Sequence, residues 1–447
     1  MPPVSFERAR RAGPLLAVGL ALALLAAGAA EAQNASLPPG TDFGEAATAR
    51  PREILASEAA GGRQSDIAAL GNLLFGSPDL FGEPARSTGI SCETCHTAGH
   101  ANQNFLIPGL SAHAGTIDVS NGFFNPPADD HVFNPVRIPT LRGIRYLAPY
   151  GRDGRIASLR EFTRNVIVGE FGGAEPSARV LDALVAYMQE IDFLPNPRLG
   201  PAGTLVGLAS GPERRGEALF RKPFAAMGNQ SCAGCHPPSA LFTDHDQHDV
   251  ASGGSFKTPT LLGLDFRAPY FHDGRYATLR GAVAHFDRAF ALGLSAGEIR
   301  DLVAYLEAVG DADGPEEPDS VAARMTEIET FCRTLDRLVG GRDPAMLRLA
   351  VDTIDRELRE LGEQFPGRDL EPARSATAAL AVELRAIEAL AKGENLDAAR
   401  ARLAAFQIAI GGLGPTLEAF EAQSLFNPAR RSAHYASLKA VEVLRGN

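Results

Sequence analysis

The chain has 447 residues and a formal net charge of −11, with 43 Lys+Arg against 54 Asp+Glu. This length exceeds one compact domain, and the acidic balance argues against a nucleic-acid binder, which would need basic patches. Five cysteines in so long a chain exclude a disulfide-stapled scaffold, and the composition contains no Trp.

The N-terminus has the three parts of a secretory signal peptide. Arginines cluster at residues 8–11, an apolar run covers residues 15–27, and an Ala-Glu-Ala cleavage pattern occupies residues 30–32. We therefore predict that residues 1–32 are a signal peptide that directs export to the periplasm, and that the mature chain does not span a membrane. An uncleaved N-terminal anchor is the alternative, although the apolar run is shorter than the roughly 20 residues that a span requires.

Four of the five cysteines lie in two Cys-x-x-Cys-His motifs. The motifs consist of Cys92, Cys95 and His96, and of Cys232, Cys235 and His236. This spacing is typical of c-type haem attachment, because two thiols three residues apart can reach both vinyl groups of one porphyrin while the next histidine reaches the iron. A zinc site would place its cysteine pairs about 12–20 residues apart, whereas these begin 140 residues apart. The motifs predict two covalently attached c-type haems, with His96 and His236 as proximal iron ligands.

The two motifs belong to a longer internal repeat. A Pro-Thr-Leu element and an Ala-Pro-Tyr-x-x-Asp-Gly-Arg element follow each motif, within residues 139–155 and again within residues 259–275, at an offset of 120. The first copy has extra residues at 100–132, where Asn, Gly and Pro predict a loop. We predict an all-α chain with two tandem cytochrome c-type haem domains, at residues 33–198 and 199–312.

Residues 319–447 contain no haem motif and have helical periodicity. Apolar side chains recur every three or four positions, as at Leu347, Val351 and Ile354. The pattern predicts a C-terminal helical bundle of four or five antiparallel helices, with a structural or partner-docking role. The fifth cysteine, Cys332, falls on a similar stripe and is predicted to be a buried, inert thiol. Turns are predicted at residues 340–341, 366–367, 393 and 412–414.

Together these motifs resemble the bacterial di-haem cytochrome c peroxidase superfamily, which includes the MauG enzymes. The resemblance rests on the paired Cys-x-x-Cys-His, Pro-Thr-Leu-x-Gly and Ala-Pro-Tyr-x-x-Asp-Gly-Arg elements and covers residues 67–311. It implies two facing haem domains, of which one handles hydrogen peroxide and the other accepts or shares electrons. It also implies an electron donor such as a small cytochrome or cupredoxin, or a protein substrate. Calcium between the haems is a further candidate cofactor.

The resemblance assigns additional residues around the haems. His113 and His100 are alternative distal ligands of the first haem, and Asn121 fits the place of a calcium ligand. An Asn in such a loop also commonly serves the turn itself, which is the competing interpretation. His272 matches a histidine beside the second haem and is expected to contact a propionate.

The sixth ligand of the second haem stays open at this point. Phe286 stands where relatives carry a Met or Tyr ligand, and a phenyl ring cannot bind iron. The preceding His285 is a candidate, and so are His245, His248 and Met227.

The residues that would handle protons also depart from the superfamily pattern. Tyr150 and Arg160 occupy the positions of a Gln and a Glu that relay protons in the peroxidases. Arg160 cannot act as a base at neutral pH, but Glu161 follows it, and Arg152 could polarise an O–O bond. Arg152, Arg160 and Glu161 are therefore the candidate catalytic residues. The bridging Trp of relatives is absent.

The favoured function is a periplasmic peroxidase-like or MauG-like oxidoreductase. Such an enzyme reduces hydrogen peroxide at haem iron with electrons from a small redox protein or a protein substrate. The alternative is a non-enzymatic di-haem electron-transfer cytochrome whose two irons are both six-coordinate. No nucleic-acid partner is expected.

Overall fold

The structure is a computed structural model that describes residues 36–445 except Leu208 and Asp313. Side chains are described up to residue 438, with the exception of Asp265. The predicted signal peptide, residues 1–32, lies outside the described residues.

The described chain is mostly α-helical, as predicted. In chain order the helices are Ala56–Ala59 (α1), Asp66–Phe75 (α2), Cys92–Cys95 (α3), Leu159–Asn165 (α4), Ala178–Glu190 (α5), Gly211–Arg221 (α6), Cys232–Cys235 (α7), Leu279–Ala289 (α8), Ala296–Gly310 (α9), Val321–Val339 (α10), Pro344–Glu363 (α11), Glu371–Lys392 (α12), Leu396–Glu418 (α13) and Pro428–Arg445 (α14). A π-helical turn, Val166–Glu170, continues α4.

Three short two-stranded antiparallel sheets accompany the helices. They pair β1 (Ala49–Pro51) with β6 (Glu316–Pro318), β2 (Thr116–Ile117) with β3 (Val136–Arg137), and β4 (Gln247–Asp249) with β5 (Ser255–Lys257). Arg50 lies opposite Glu317 in the first sheet. That pairing ties the chain before the first haem motif to the segment after the second repeat.

Serine caps define where the main helices of the repeats begin. The four capping residues, whose side chains accept a backbone N–H from the first turn, are Ser65, Ser177, Ser210 and Ser295. At Ser210 and Ser295 the side chain of the glutamate three positions later also accepts a hydrogen bond from the backbone N–H of the capping serine. These caps satisfy amide groups that have no partner within the helix, and so they specify each start locally.

In each repeat two helices cross at a glycine. A Cβ atom on Gly71 of α2 would lie 1.9 Å from the carbonyl oxygen of Ala183 in α5. A Cβ on Gly216 of α6 would lie 2.0 Å from the carbonyl oxygen of Asp301 in α9. Because any side chain would clash with backbone, only glycine allows the helices to approach so closely.

An aromatic pair packs beside each crossing. The ring centroids of Phe75 and Tyr187 are 5.2 Å apart in the first repeat, and those of Phe220 and Tyr305 are 5.1 Å apart in the second. Both tyrosine side chains are fully buried. The two repeats therefore build the same local core from a Gly, a Phe and a Tyr.

The hydrophobic core is divided unequally between the repeats. One cluster joins residues 55–191 to residues 321–426, whereas a smaller cluster lies within residues 205–309. Helices α10 and α11 both contact α2, so the C-terminal helices pack on the first repeat. Cys332 is buried in the larger cluster, as predicted, with 2% of its surface exposed.

Five helices, α10–α14, make up the C-terminal segment. α11 packs on α12, α12 on α13, and α10 on both α11 and α13. A buried ion pair, in which Arg431 Nη2 lies 2.9 Å from Asp319 Oδ2, fastens α14 to the start of the segment. Chain turns occur at three of the four predicted places, residues 340–341, 366–367 and 393.

The turn predicted at residues 412–414 is wrong, because α13 runs through these glycines and through Pro415. Buried apolar side chains continue on one face of the helix on both sides, from Phe406 and Ile410 to Leu417. Burial of this continuous stripe outweighs the low helix propensity of glycine.

Among the described residues, no single helix is long and apolar enough to cross a membrane. One bent pair, Leu396–Glu418 with Glu421–Leu438, meets the length and composition criteria only when its two helices are taken together.

We expect Gly71→Ala to destabilise the protein by about 2–3 kcal/mol, because the added methyl must push two helix backbones apart. Gly411→Ala is the matched control, since Gly411 lies in α13 with nothing within 4 Å of the added atom. There the same change should stabilise by up to about 1 kcal/mol. Urea unfolding followed by circular dichroism measures both, and equal midpoints for Gly71→Ala and the wild type would contradict the crossing argument.

Candidate haem sites

Each Cys-x-x-Cys motif forms a single helical turn, α3 or α7. Ser91 precedes the first, and its backbone N–H donates to Thr94 Oγ1 at 3.0 Å. Thiols three positions apart on such a turn lie on one side of the helix. None of the four motif cysteines is in a disulfide, and only Cys95 is fully buried. The thiols are thus paired on one face, as thioether attachment to one porphyrin requires.

The two predicted proximal histidines are oriented in the same way. His96 Nδ1–H donates to the carbonyl oxygen of Pro139, and His236 Nδ1–H donates to that of Phe242, each at 2.9 Å. Burial lowers the pKa of His96 to about 4 and lowers that of His236 as well. Both rings are therefore neutral with a lone pair on Nε2. A histidine that ligates a metal through one nitrogen commonly donates from the other in this way.

Two arginines, the buried Arg267 and the partly exposed Arg137, form no ion pair with a carboxylate among the described residues. Arg267 donates from Nε to the carbonyl oxygen of Leu262 at 2.9 Å, while its Nη2 is buried without a partner among the described residues. Arg137 donates only to the carbonyl oxygens of Phe271 and Ile138. Burial lowers the pKa of Arg267 to about 9 and that of Arg137 to about 10. A haem carries two propionates, and one of these would satisfy the unpaired cation, so the residues fit the group.

The two distal candidates of the first haem both lie at the junction of the repeats. His100 is buried, its Nε2 accepts a hydrogen bond from Arg142 Nε–H, and its ring centroid is 4.3 Å from that of Phe266. Burial and the nearby guanidinium lower its pKa to about 2. His113 is exposed and abuts Gly274, where a Cβ would come within 2.7 Å of His113 Cε1. The structure therefore brings both histidines against the second repeat.

His285 is fully engaged by other groups. Its Nε2–H donates to the carbonyl oxygen of Val250 at 2.7 Å, and its Nδ1 accepts from the Tyr276 hydroxyl at 2.9 Å. One of these bonds would have to break before the ring could bind iron.

The other candidates around the second haem have separate environments. His245 Nδ1 is buried with no partner among the described residues, while His248 Nε2–H donates to Asp244 at 2.8 Å. Met227 ends a short turn and is partly exposed. His272 stacks on Phe256 with centroids 3.8 Å apart.

One further cluster is part of the second motif. Cys235, Asp244 and His248 place one potential ligand atom each within 4.8 Å of one another. Because Cys235 is also a predicted haem attachment, the cluster belongs to this haem site.

Asn121, the calcium candidate, caps a turn. Its Oδ1 accepts the backbone N–H of Phe123 at 2.9 Å. The side chain thus already serves the loop, and calcium ligation by Asn121 stays a prediction.

Comparison with known proteins gives a consistent result. The sequence profile of the family described as di-haem cytochrome c peroxidase matches residues 214–338. The methylamine utilization protein MauG of Methylorubrum extorquens is 28% identical, over 54% of this chain and 76% of that protein. Cytochrome c551 peroxidase of Nitrosomonas europaea is 23% identical, over 54% and 79% of the two chains. A solved structure of Kuenenia stuttgartiensis hydrazine synthase is 22% identical over 61% of this chain and 98% of that chain, with a TM-score of 0.41.

The family profile and both relatives support the similarity to the di-haem cytochrome c peroxidase and MauG superfamily that the motifs indicated. The c-type haem of that superfamily is the cofactor that this similarity implies. The superfamily consists of peroxidase-like or MauG-like oxidoreductases.

The three candidate catalytic side chains face the surface, whereas Tyr150, at the position of the superfamily's Gln, is buried. Arg160 donates from Nε to Asp182 at 2.8 Å in an exposed ion pair, and Glu161 is exposed. Arg152 is exposed as well, although its backbone carbonyl accepts a bond from the Lys257 N–H of the second repeat. Arg152 has the partly buried carboxyl group of Glu170 among its electrostatic neighbours.

Glu170 is a site residue that the superfamily motifs do not indicate. It is the last residue of the π-helical turn, and π-helical turns are frequent at functional sites. Burial raises its pKa to about 7 against the opposing effect of Arg155 and Arg152. No described group donates a hydrogen bond to Glu170. Its negative charge contributes to the raised pKa of the Cys95 thiol in the first motif. In the sequence, the one indication of this role is that Glu170 is the single acidic residue in the apolar run from Val166 to Phe171.

Proposed function

We propose that this chain is a periplasmic di-haem oxidoreductase that reduces hydrogen peroxide. In this proposal two tandem haem domains precede a C-terminal helical bundle, and the haems are bound by thioethers to the motif cysteines. The observation that carries the proposal is the shared orientation of His96 and His236, since each donates from Nδ1–H to a backbone carbonyl and so keeps Nε2 as the nitrogen that could bind iron. Bound haem iron would supply the redox chemistry of the reaction.

The remaining residues would hold the haems and exclude water. Arg137 and Arg267 would pair with propionates, because neither guanidinium group has a carboxylate partner among the described residues. His272 and His245 lie in the second repeat as further polar contacts for that haem.

Glu170 would relay the proton that peroxide cleavage requires. Its carboxylate accepts a proton from one peroxide oxygen and returns it to the other, which leaves as water. Arg152 lies close enough to stabilise the developing negative charge electrostatically. The second oxygen then takes two electrons and two protons to become water. Glu170 would thus replace the glutamate whose usual position is occupied by Arg160.

The electrons would come from a small cytochrome or cupredoxin, or from the side chains of a protein substrate. The net charge of −11 favours a partner with a basic docking face, because opposite potentials steer encounter.

A non-enzymatic di-haem cytochrome is the second candidate function, and one observation favours it. His100 is buried and neutral four residues after His96. If it ligated the first iron, peroxide would have no open position.

Haem content tests the attachment. The wild type should carry two haems per chain by pyridine haemochrome assay, and Cys92→Ala combined with Cys95→Ala should leave one. Cys332→Ala is the matched control, because that thiol is buried in the C-terminal helices and lies outside both motifs. A double variant that still carries two covalent haems would contradict the assignment.

The optical and EPR spectra of the purified protein separate the two functions. The enzyme should have a high-spin haem in at least one redox state, and peroxide should change that signal. Low-spin spectra in every redox state, unchanged by peroxide, would leave only the electron carrier.

Glu170→Gln should slow the reaction of the haem with peroxide by about 100-fold or more, because the amide cannot accept a proton. In the wild type the rate should rise with pH through about 7, where the carboxyl of Glu170 becomes ionised. The variant should lose this rise. Stopped-flow absorbance measures both.

Two further variants locate the relay. Glu418→Gln, an exposed change in α13, should leave rate and pH profile unchanged. If Glu161→Gln rather than Glu170→Gln slows the reaction with peroxide and removes its rise with pH, Glu161 is the residue that relays the proton.

A further inference from the structure

The hydroxyl of Tyr187 makes a short bond to a carboxylate inside the first repeat. Tyr187 Oη donates to Glu53 Oε1 at 2.6 Å, and the tyrosine has 1% of its surface exposed. A phenol bonded to a carboxylate is poised to lose its proton when it loses an electron, since the acceptor is already in place. This arrangement lowers the cost of oxidising a buried tyrosine, which otherwise would leave a positive charge in the core.

Tyr187 also lies in a continuous series of aromatic rings that leads to the first motif. The ring centroids of His96 and Phe75 are 6.4 Å apart, and those of Phe75 and Tyr187 are 5.2 Å apart. His96 is the proximal ligand in the proposed function. A single phenyl ring thus separates Tyr187 from the side chain that would bind iron.

The second repeat provides an internal contrast. Tyr305 occupies the equivalent place, 5.1 Å from Phe220, and is fully buried. Its hydroxyl has no hydrogen-bond partner among the described residues. Oxidation of Tyr305 would have no proton acceptor, so the two tyrosines share a packing role but not this chemistry.

Acidic groups surround the bond in the first repeat. Burial raises the pKa of Glu53 to about 7, and the Tyr187 hydroxyl acts in the opposite direction. Glu327 of α10 adds negative potential at the tyrosine, whereas burial holds the pKa of the Glu93 carboxyl well above its usual value. Arg50 lies 3.6 Å from Glu327 and partly balances this charge. The negative potential favours removal of an electron from the ring.

We propose that Tyr187 is a redox-active residue that donates one electron to the first haem site and its phenolic proton to Glu53. The inference rests on the proposed function, which supplies the oxidant, hydrogen peroxide. The O–H bond of Tyr187 breaks, a new O–H bond forms on Glu53, and a neutral tyrosyl radical remains.

The electrons and protons balance over one turnover. Peroxide takes two electrons and two protons and yields two water molecules. Tyr187 supplies one of the electrons, and the second haem or the external donor supplies the other. A further electron from the donor then reduces the radical, and the proton returns from Glu53. With Tyr187 as an intermediate electron source, a donor that delivers one electron at a time can reduce hydrogen peroxide, which takes two.

Freeze-quench EPR after mixing the reduced or oxidised holoprotein with peroxide tests the proposal. The wild type should develop a tyrosyl signal, which Tyr187→Phe should abolish. Tyr305→Phe is the matched control and should leave the signal intact. Glu53→Gln retains the tyrosine and a side-chain oxygen but cannot take the proton, so the radical should form about 100-fold more slowly.

The outcome that overturns the proposal is a signal of equal yield in Tyr187→Phe and the wild type, or no tyrosyl signal in a wild type whose haem reacts with peroxide. Soret absorbance and circular dichroism establish that each variant holds haem and is folded. If Tyr187→Phe fails to fold, Glu53→Gln decides the matter, since an unaltered rate there excludes Glu53 as the proton acceptor.

A second oxidant separates this proposal from the proposed function. A photogenerated ruthenium(III) complex removes one electron from the holoprotein without peroxide. If peroxide leaves the haem spectrum unchanged, the peroxidase function fails, and a Tyr187-dependent radical after the light pulse still supports the redox role. Absence of the radical under both oxidants overturns the redox role by itself.

Discussion

The close approach of two helix backbones at a glycine governs the geometry of both repeats. At Gly71 the α2 helix lies against the carbonyl of Ala183 so tightly that no side chain fits. That contact places Phe75 and Tyr187 side by side, and through Phe75 it reaches His96. Packing that defines the core thus also defines which side chains lie next to the haem ligand.

Features with a local physical cause could be read from the sequence, and features made by distant residues could not. The Cys-x-x-Cys-His spacing acts within a few residues, the internal repeat is visible as matching motifs at an offset of 120, and the helices follow from apolar periodicity. The bond between Tyr187 and Glu53 joins residues 134 positions apart. Glu170 depends on a π-helical turn whose enclosure is created by the fold. At residues 412–414 the glycines predicted a turn that does not form, because burial of the apolar face of α13 stabilises a continuous helix there.

Buried charge distinguishes the site from ordinary core. A guanidinium without a carboxylate, as at the buried Arg267, is costly in a finished protein interior. The cost is removed if an anionic group of the cofactor completes the pair. Electrostatics and thiol geometry therefore point to the same ligand by independent routes, and the free Nε2 atoms of His96 and His236 complete the set.

The repeats share their packing but differ in proton-accepting groups, and the difference follows from the C-terminal helices. These helices share a core with the first repeat only, and α10 brings Glu327 towards Glu53 and Tyr187. Acidic groups collected at one tyrosine make that tyrosine easier to oxidise, while Tyr305 keeps an unpartnered hydroxyl. Because the chain contains no Trp, tyrosine is its most readily oxidised aromatic side chain. An extension without a haem motif can therefore act on redox chemistry through the electrostatic environment that it adds to one repeat.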